Sequence, residues 1–302
     1  MHIPVLEREL MKYLCFARGD NFIDCTLGEG GHAEAILEAT TISLNNKSIG
    51  GKLLGIEIDK DLYQRAQARL ACYGSRAIVV NDSYIHLKKI VDRTKPPVLF
   101  KGIYFDLGAC LWHFRHANRG FSFNKYEEDL DMRFNQKGEL KASDILNTWH
   151  YNEIEKCLRL YGNITNSKKL ALAIISQRRR KKIRKTKELI NLIKESFPRL
   201  SFLSSKQLIR KTFQALRISV NNELINIEKG LSQAVEVLAP EGRIAVISYH
   251  SLEDKIVKKF FRDCSQLKPI NKKSIKPTIL ERHFNPSARS AKLRVAVKIQ
   301  NS

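Results

Sequence analysis

The chain has 302 residues, 43% hydrophobic and 28% charged, a balance that suits a globular protein with a sizeable core. Its 53 lysines and arginines against 31 aspartates and glutamates give a net charge of +22, which points to a polyanionic partner without separating RNA from DNA or an anionic membrane. No run approaches the roughly 18 consecutive apolar residues of a membrane span, and six scattered cysteines with no C-x-x-C pair argue against a disulfide scaffold or structural zinc.

The start, MHIPVLERELMKYL, mixes Glu7, Arg8 and Glu9 into its apolar pattern, so it reads as a short helix and not as a secretion signal. A cytoplasmic protein with no membrane partner and no metal is expected. FIDCTL (22–27), KLLGIEI (52–58), AIVVN (77–81) and GIYFDLG (102–108) then read as buried strands. Helical spacing separates them at 30–40 and 60–74. This alternation predicts βαβ units and a parallel sheet. From 120 to 215 the apolar spacing becomes helical, as in SKKLALAIISQRR and TKELINLIKESF. Strand signals return in GRIAVISYH (242–250) and KLRVAVKI (292–299), with a helix over EDKIVKKFFRDC. The expected fold class is α/β: a Rossmann-like sheet over 1–119 and 216–302, with a helical subdomain inserted at 120–215. The tract KPINKKSIKPTILERHFNPSARS reads as irregular.

FIDCTLGEGGH places Gly28, Gly30 and Gly31 between a strand and a helix, where glycines permit positive φ and a helix start offers free N–H groups. Gly28, Gly30 and Ala33 also satisfy the dinucleotide fingerprint. Glu57 ends the second strand, placed to accept hydrogen bonds from ribose hydroxyls. Both features serve NAD and S-adenosylmethionine alike. Tyr84, after the third strand, either flanks an adenine or packs in the core. Asp106 ends the fourth strand at the edge where open α/β sheets bind ligands.

The eleven residues QRRRKKIRKTK (177–187) hold eight cations and no acid. They read as a basic helix that grips phosphates through Arg178, Arg179, Arg180, Lys181 and Lys182. SYHSLEDK (248–255) imitates a Ser-His-Glu hydrolase set, but sequence neighbours on a strand face opposite ways. Ser251 with Asp254 suggests a helix N-cap there.

HIPVL, FIDCTLGEGGH, NRGFSF, DLDMRF, TFQALRISVNNEL, LAPEGRIAVISYHSLEDKIVK and ARSAKLRVA follow in order along nearly the whole chain. Together they resemble the MraW/RsmH family. The resemblance implies an S-adenosylmethionine-dependent rRNA methyltransferase acting on the exocyclic amine of a cytosine in small-subunit (16S) ribosomal RNA. It implies cofactor contacts by Gly30, Gly31, His32, Glu57, Tyr84, Asp106 and His113, with Asp106 also nearest the reaction. Small-subunit rRNA or the 30S particle is the implied partner, and a homodimer is left open. Where the family has D-L-G-V-S-S-x-Q, this chain has DLGACLWH, so Cys110 and Leu111 replace two serines and His113 takes the glutamine position. A later Y-G-E-E appears as Tyr161-Gly162-Asn163-Ile164. Three alternatives stand beside this reading: another methyl acceptor, a non-catalytic RNA-binding assembly factor, and an NAD-dependent oxidoreductase.

Overall fold

The computed structural model describes residues 4–15, 17–44, 47–94 and 99–300, with backbone alone over 42–49. His2 and Ile3 of the HIPVL motif lie outside the described residues. The chain divides into two compact units, Met1–Gly108 with Leu224–Ser302, and Ala109–Glu223.

The first unit runs α1 (Glu7–Leu14), β1 (Asn21–Asp24), α2 (Gly31–Ala39), β2 (Thr41–Leu44), β3 (Lys47–Gly50), β4 (Leu53–Glu57), α3 (Lys60–Leu70), β5 (Ala77–Asn81), α4 (Leu87–Thr94) and β6 (Phe100–Asp106). The second unit supplies α5 (Leu111–Arg115), α6 (Ala142–Thr148), α7 (Tyr151–Gly162), α8 (Ser167–Arg180), α9 (Thr186–Ser196) and α10 (Phe202–Asn221). The first then resumes with α11 (Glu223–Val237), β7 (Leu238–Ser248), α12 (Ser251–Asp263), β8 (Leu267–Pro269), α13 (Ile279–Phe284) and β9 (Lys292–Lys298).

Seven strands form one sheet in the order β5-β4-β1-β6-β7-β9-β8, and β2 pairs with β3 apart from it. The strands from β5 to β7 are parallel, while β9 runs antiparallel to both β7 and β8. This is a Rossmann-like α/β sheet. Strand alternation sorts the apolar side chains onto its two faces. Ile23, Leu54, Ile56, Phe105, Ile244 and Val246 pack in one layer with Leu87 and Ile90 of α4, Ile227 and Leu231 of α11, and Val257 and Phe261 of α12. Their neighbours Phe22, Leu53, Tyr104, Ala245 and Ile247 pack in the other with α1, α2 and α3. Burial on both faces explains why these strands read as unbroken apolar runs.

The second unit is helical around its own core. Ile145, Leu146, Ile154, Leu158, Leu170, Ile174, Leu189, Ile193, Phe213 and Leu216 are all buried there at helical spacing. Three of its helices start alike, with an acid in the first turn taking the N–H of the residue before the helix: Asp144 for Lys141, Glu153 for His150 and Glu188 for Lys185.

Several local expectations are corrected. The segment 177–187 is not one helix, because α8 stops at Arg180 and α9 starts at Thr186. Between them Asn147 brackets buried Ile183, accepting its N–H at 3.0 Å and donating to its carbonyl at 2.7 Å, which pins the chain as a loop. The cap of α12 is His250 and not Ser251. Its ring nitrogen accepts from the Glu253 N–H, and Glu253 returns the bond to the His250 N–H, an arrangement Asp254 does not share. The helix over 60–74 ends at Leu70 and continues as a 3-10 turn. The tract after α12 is not wholly irregular, since it contains β8 and α13.

Gly102 of β6 shows how tightly the sheet is filled. A Cβ there would lie 2.4 Å from the Phe22 ring, which is itself fully buried. Gly102→Ala is expected to cost about 1–3 kcal/mol, the usual range for overpacking. A urea unfolding midpoint equal to that of the parent would show that the Phe22 ring relocates freely.

Candidate functional site

Strand order reverses between β1 and β6. The chain builds outward from β1 through β4 to β5, then returns to lay β6 on the other side of β1. In open α/β sheets that reversal leaves a crevice at the carboxyl ends of the strands. Asp24, Glu57 and Asp106 are the last residues of β1, β4 and β6, so three acids end at this edge.

The loop after β1 is pinned from both sides. Cys25 donates its N–H to the Tyr104 carbonyl of β6, and Leu27 donates to the Ile56 carbonyl of β4, each at 3.0 Å. The Thr26 N–H donates to Asp24 Oδ1 at 3.0 Å, while the Thr26 hydroxyl accepts the Asp106 N–H at 2.6 Å. Gly28 lies at φ 56° and donates to Glu57 Oε2 at 2.7 Å. Gly30, at φ 81°, caps α2, whose first turn begins with Gly31 and His32. These left-handed positions are strained for any residue with a side chain. The loop therefore ends on a helix start whose N–H groups lack intrahelical acceptors.

Burial sets the electrostatics. It pushes the Asp24 carboxyl up to about 8 against the Thr26 and Tyr104 hydrogen bonds that favour its ionised form. The Tyr104 hydroxyl donates to Asp24 Oδ2. Burial likewise raises Glu57 to about 7, although Glu57 accepts N–H groups from both Gly28 and Asp59. Burial thus raises both carboxyls at this edge above the range near pH 4 of exposed carboxyls.

His32 is neutral, because burial lowers its pKa. Its Nε2 lies 2.9 Å from the Val5 carbonyl, which can only accept, so Nε2 carries the proton and Nδ1 is an acceptor. Nδ1 lies 3.8 Å from Asp106 Oδ2, too far for a hydrogen bond. Asp106 Oδ1 accepts the Tyr249 hydroxyl at 2.8 Å. Tyr249 sits between β7 and α12, where its N–H is held by Glu253 at 2.8 Å.

The first unit thus brings together Gly30, Gly31, His32, Glu57 and Asp106. Tyr84 stands beyond β5 and packs edge-on to Phe105 at 5.5 Å, with Gly230 of α11 against its ring. His113 belongs to the second unit, buried between Phe121 and Phe134 at 5.0 and 4.9 Å. Its Nδ1 lies 3.4 Å from the Cys110 sulfur, so two residues that depart from the family pattern contact each other. Near the end of α8, Arg178 donates to the Leu146 and Trp149 carbonyls, and in the loop that follows Lys181 pairs with Glu188 at 2.8 Å. Arg179, Arg180 and Lys182 are exposed.

Four participants escape a reading of the sequence: Asp24 as a protonated acid, Thr26, Tyr104 and Tyr249. A signal existed for one pair. Tyr104 and Asp106 share a face of β6 by alternation, and Asp24 pairs in register with Tyr104. Seeing it requires knowing that β1 and β6 are neighbours.

A glycine loop, a strand-end acid and a helix start at the reversal point are the equipment of a Rossmann-like protein that takes a nucleoside. The glutamate can accept from ribose hydroxyls, and Asp106 with the nearby His32 Nδ1 suits a cationic end, so the donor set fits S-adenosylmethionine. The MraW methylase family model matches residues 1–299, and the chain belongs to that family. Among its relatives, a Ribosomal RNA small subunit methyltransferase H from Dictyoglomus thermophilum is 40% identical over 303 residues, covering 100% of this chain and 98% of that one. A protein of the same name from Brevibacillus brevis is 37% identical over 316 residues, covering 99% and 98%. Membership in a methylase family removes the oxidoreductase alternative. Among the described residues no helix is long and apolar enough to cross a membrane.

The raised Asp24 carboxyl carries a pH signature. The folded state keeps a proton that the unfolded state loses near pH 4, so this group's contribution makes stability fall as pH rises through about 8. Asp24→Asn removes the titration and is expected to flatten the decline between pH 5 and pH 8. Chemical denaturation at both values tests this, and an undiminished slope would assign the decline to other groups.

Proposed function

We propose that the chain transfers the methyl group of S-adenosylmethionine to the exocyclic amine of a cytosine in small-subunit ribosomal RNA, in the cytoplasm. The observation that carries this reading is the end-to-end family match, on a chain whose strand-end acids and glycine loop converge at one sheet edge. The relatives' shared name supports the substrate.

When bound, S-adenosylmethionine supplies a sulfonium-activated methyl group that needs no metal. The chain's own residues then bind the cofactor and orient the acceptor. Gly30, Gly31 and His32 line the start of α2, Glu57 accepts from the ribose, and Tyr84 flanks the adenine. Asp106 has the central role. An exocyclic cytosine amine is a poor nucleophile because its lone pair delocalises into the ring. A carboxylate accepting its N–H bonds stabilises the positive charge that develops on nitrogen. Tyr249 fixes one oxygen of that carboxylate, which limits its rotation and orients the acceptor.

The target base must leave its stack to reach such a pocket, which a single-stranded or splayed rRNA segment makes less costly. Residues 120–215 are assigned to substrate recognition. Within the cluster Arg178–Lys182, the exposed Arg179, Arg180 and Lys182 do most of the phosphate binding, since Arg178 and Lys181 already have protein partners.

Labelled methyl transfer to small-subunit particles from a methylation-deficient strain, followed by mass mapping, tests the reading. Label on a cytosine is expected, and label elsewhere would redirect the substrate. Asp106→Ala should lower the rate by about 100- to 1,000-fold, the usual loss for one oriented electrostatic group. Tyr249→Phe should lower it less. An Asp106→Ala rate equal to the parent would remove Asp106 from the reaction.

Replacing Arg179, Arg180 and Lys182 with Gln should weaken RNA binding and flatten its salt dependence. An unchanged slope in a salt titration would exclude this loop from the interface.

A further inference from the structure

Residues 267–290, between α12 and β9, contain six lysines and arginines and one acid. Lys268, Lys272, Lys273, Lys276, Arg282 and Arg289 are all exposed. The acid, Glu281, is already engaged, with Oε1 accepting the Leu6 N–H at 2.7 Å. On α13 the large side chains face outward: Ile279 is 79% exposed, Leu280 71% and Phe284 73%. His283 stands edge-on to Phe284 at 5.1 Å.

The segment is held in place despite its composition. Ile275 exchanges both backbone hydrogen bonds with Leu293, Ile270 donates to the Val295 carbonyl, and Asn271 accepts the Val295 N–H at 2.8 Å. Thr278 caps α13 by accepting from the Glu281 N–H. The backbone is thus fixed while Ile279, Leu280 and Phe284 are left facing water.

Position adds a second observation. The Leu6 N–H held by Glu281 adjoins the Val5 carbonyl that holds His32 Nε2. Helix α13 is therefore two hydrogen bonds from a residue of the candidate pocket. Ile275 pairs with Leu293, which is in register with Ile247 next to the carboxyl end of β7, the same edge at which the three acids end their strands.

We propose that residues 268–289 form an RNA-docking strap on the first unit, separate from the basic loop of the second, in which Lys272, Lys273 and Lys276 bind phosphates and Phe284 stacks on an unpaired base. The inference rests on the proposed methylation of ribosomal RNA for the identity of the polyanion. Single-stranded RNA fits the surface better than a duplex, because an exposed aromatic side chain can stack only on a base that is out of its pair. It fits better than a membrane surface, because a six-residue helix with three apolar side chains is much smaller than the amphipathic helices that lie in lipid interfaces.

The test uses the full chain and fluorescein-labelled RNA of mixed sequence, single-stranded and duplex, in anisotropy titrations over a range of salt. Replacing Lys272, Lys273 and Lys276 together with Gln should lower the slope of log affinity against log salt by about 2, at about 0.7 per phosphate on a single strand. Phe284→Ala should weaken single-strand binding roughly 5- to 150-fold, the equivalent of one lost stacking contact, with the slope unchanged. Phe284→Trp should restore it. Parental affinity and slope in both the triple variant and Phe284→Ala would overturn the proposal. So would an equal Phe284→Ala loss on duplex RNA, or a loss of binding to phosphatidylserine vesicles with RNA binding intact. Methyl transfer separates the two readings. A parent that methylates particles while the strap variants bind RNA like the parent defeats the strap alone. A parent that binds RNA through the strap but transfers no label defeats the assigned reaction alone.

Discussion

The pocket depends on the backbone of residues 25–30, which is held between two strands that are distant in sequence. Hydrogen bonds from Cys25 to β6 and from Leu27 to β4 fix its two sides, and the Gly28 N–H is drawn onto Glu57. Thr26 ties the same loop to the backbone of Asp106. Each of these partners sits at a strand end, so the loop can take this shape only when β4, β1 and β6 are already side by side. The site is consequently a product of sheet assembly, and glycine at positions 28 and 30 lets the loop follow that path through left-handed conformations without strain.

That dependence explains why the carboxyls of Asp24 and Glu57 are raised. A strand-end carboxyl beside two others, in a layer that also holds Tyr104 and Phe22, loses its water before it gains a cation. Hydrogen bonds from Thr26 and Tyr104 recover part of the cost, but burial outweighs them. Asp24 accepts from both the Thr26 N–H and the Tyr104 hydroxyl, and so ties the end of β1 to β6. Glu57 differs in degree. Burial raises it less, and two backbone N–H groups orient it. An acid poised near neutrality in this way gains most when a ligand hydroxyl adds a further donor.

The parts of this design that follow local rules were readable in the sequence. The buried strands, the glycine-bearing turn and the acids ending β4 and β6 each follow from alternation and turn chemistry over a few residues. The partners across the sheet were not. Tyr249 is 143 residues from Asp106 in sequence, and only the adjacency of β7 and β6 brings its hydroxyl to that carboxylate. The basic run 177–187 shows the opposite failure. Its composition suggested a continuous charged helix, but one apolar residue, Ile183, is buried and bracketed by Asn147, which breaks the helix and turns Arg178 inward to cap carbonyls. Charge counted along a sequence does not distinguish a cation that faces solvent from one spent on the fold.

The same distinction applies at α12. SYHSLEDK has the residue types of a hydrolytic site, but the structure uses them to start a helix. Glu253 is buried, and its carboxylate accepts the N–H groups of Tyr249 and His250. Asp254 is clasped by Arg294 at 2.7 Å and Lys292 at 3.3 Å from β9. With Glu253 and Asp254 bound to the start of α12 and to β9, the segment offers the Tyr249 hydroxyl to Asp106. An apparent catalytic set thereby becomes the support for one hydroxyl, and that hydroxyl orients the carboxylate on which the proposed chemistry turns.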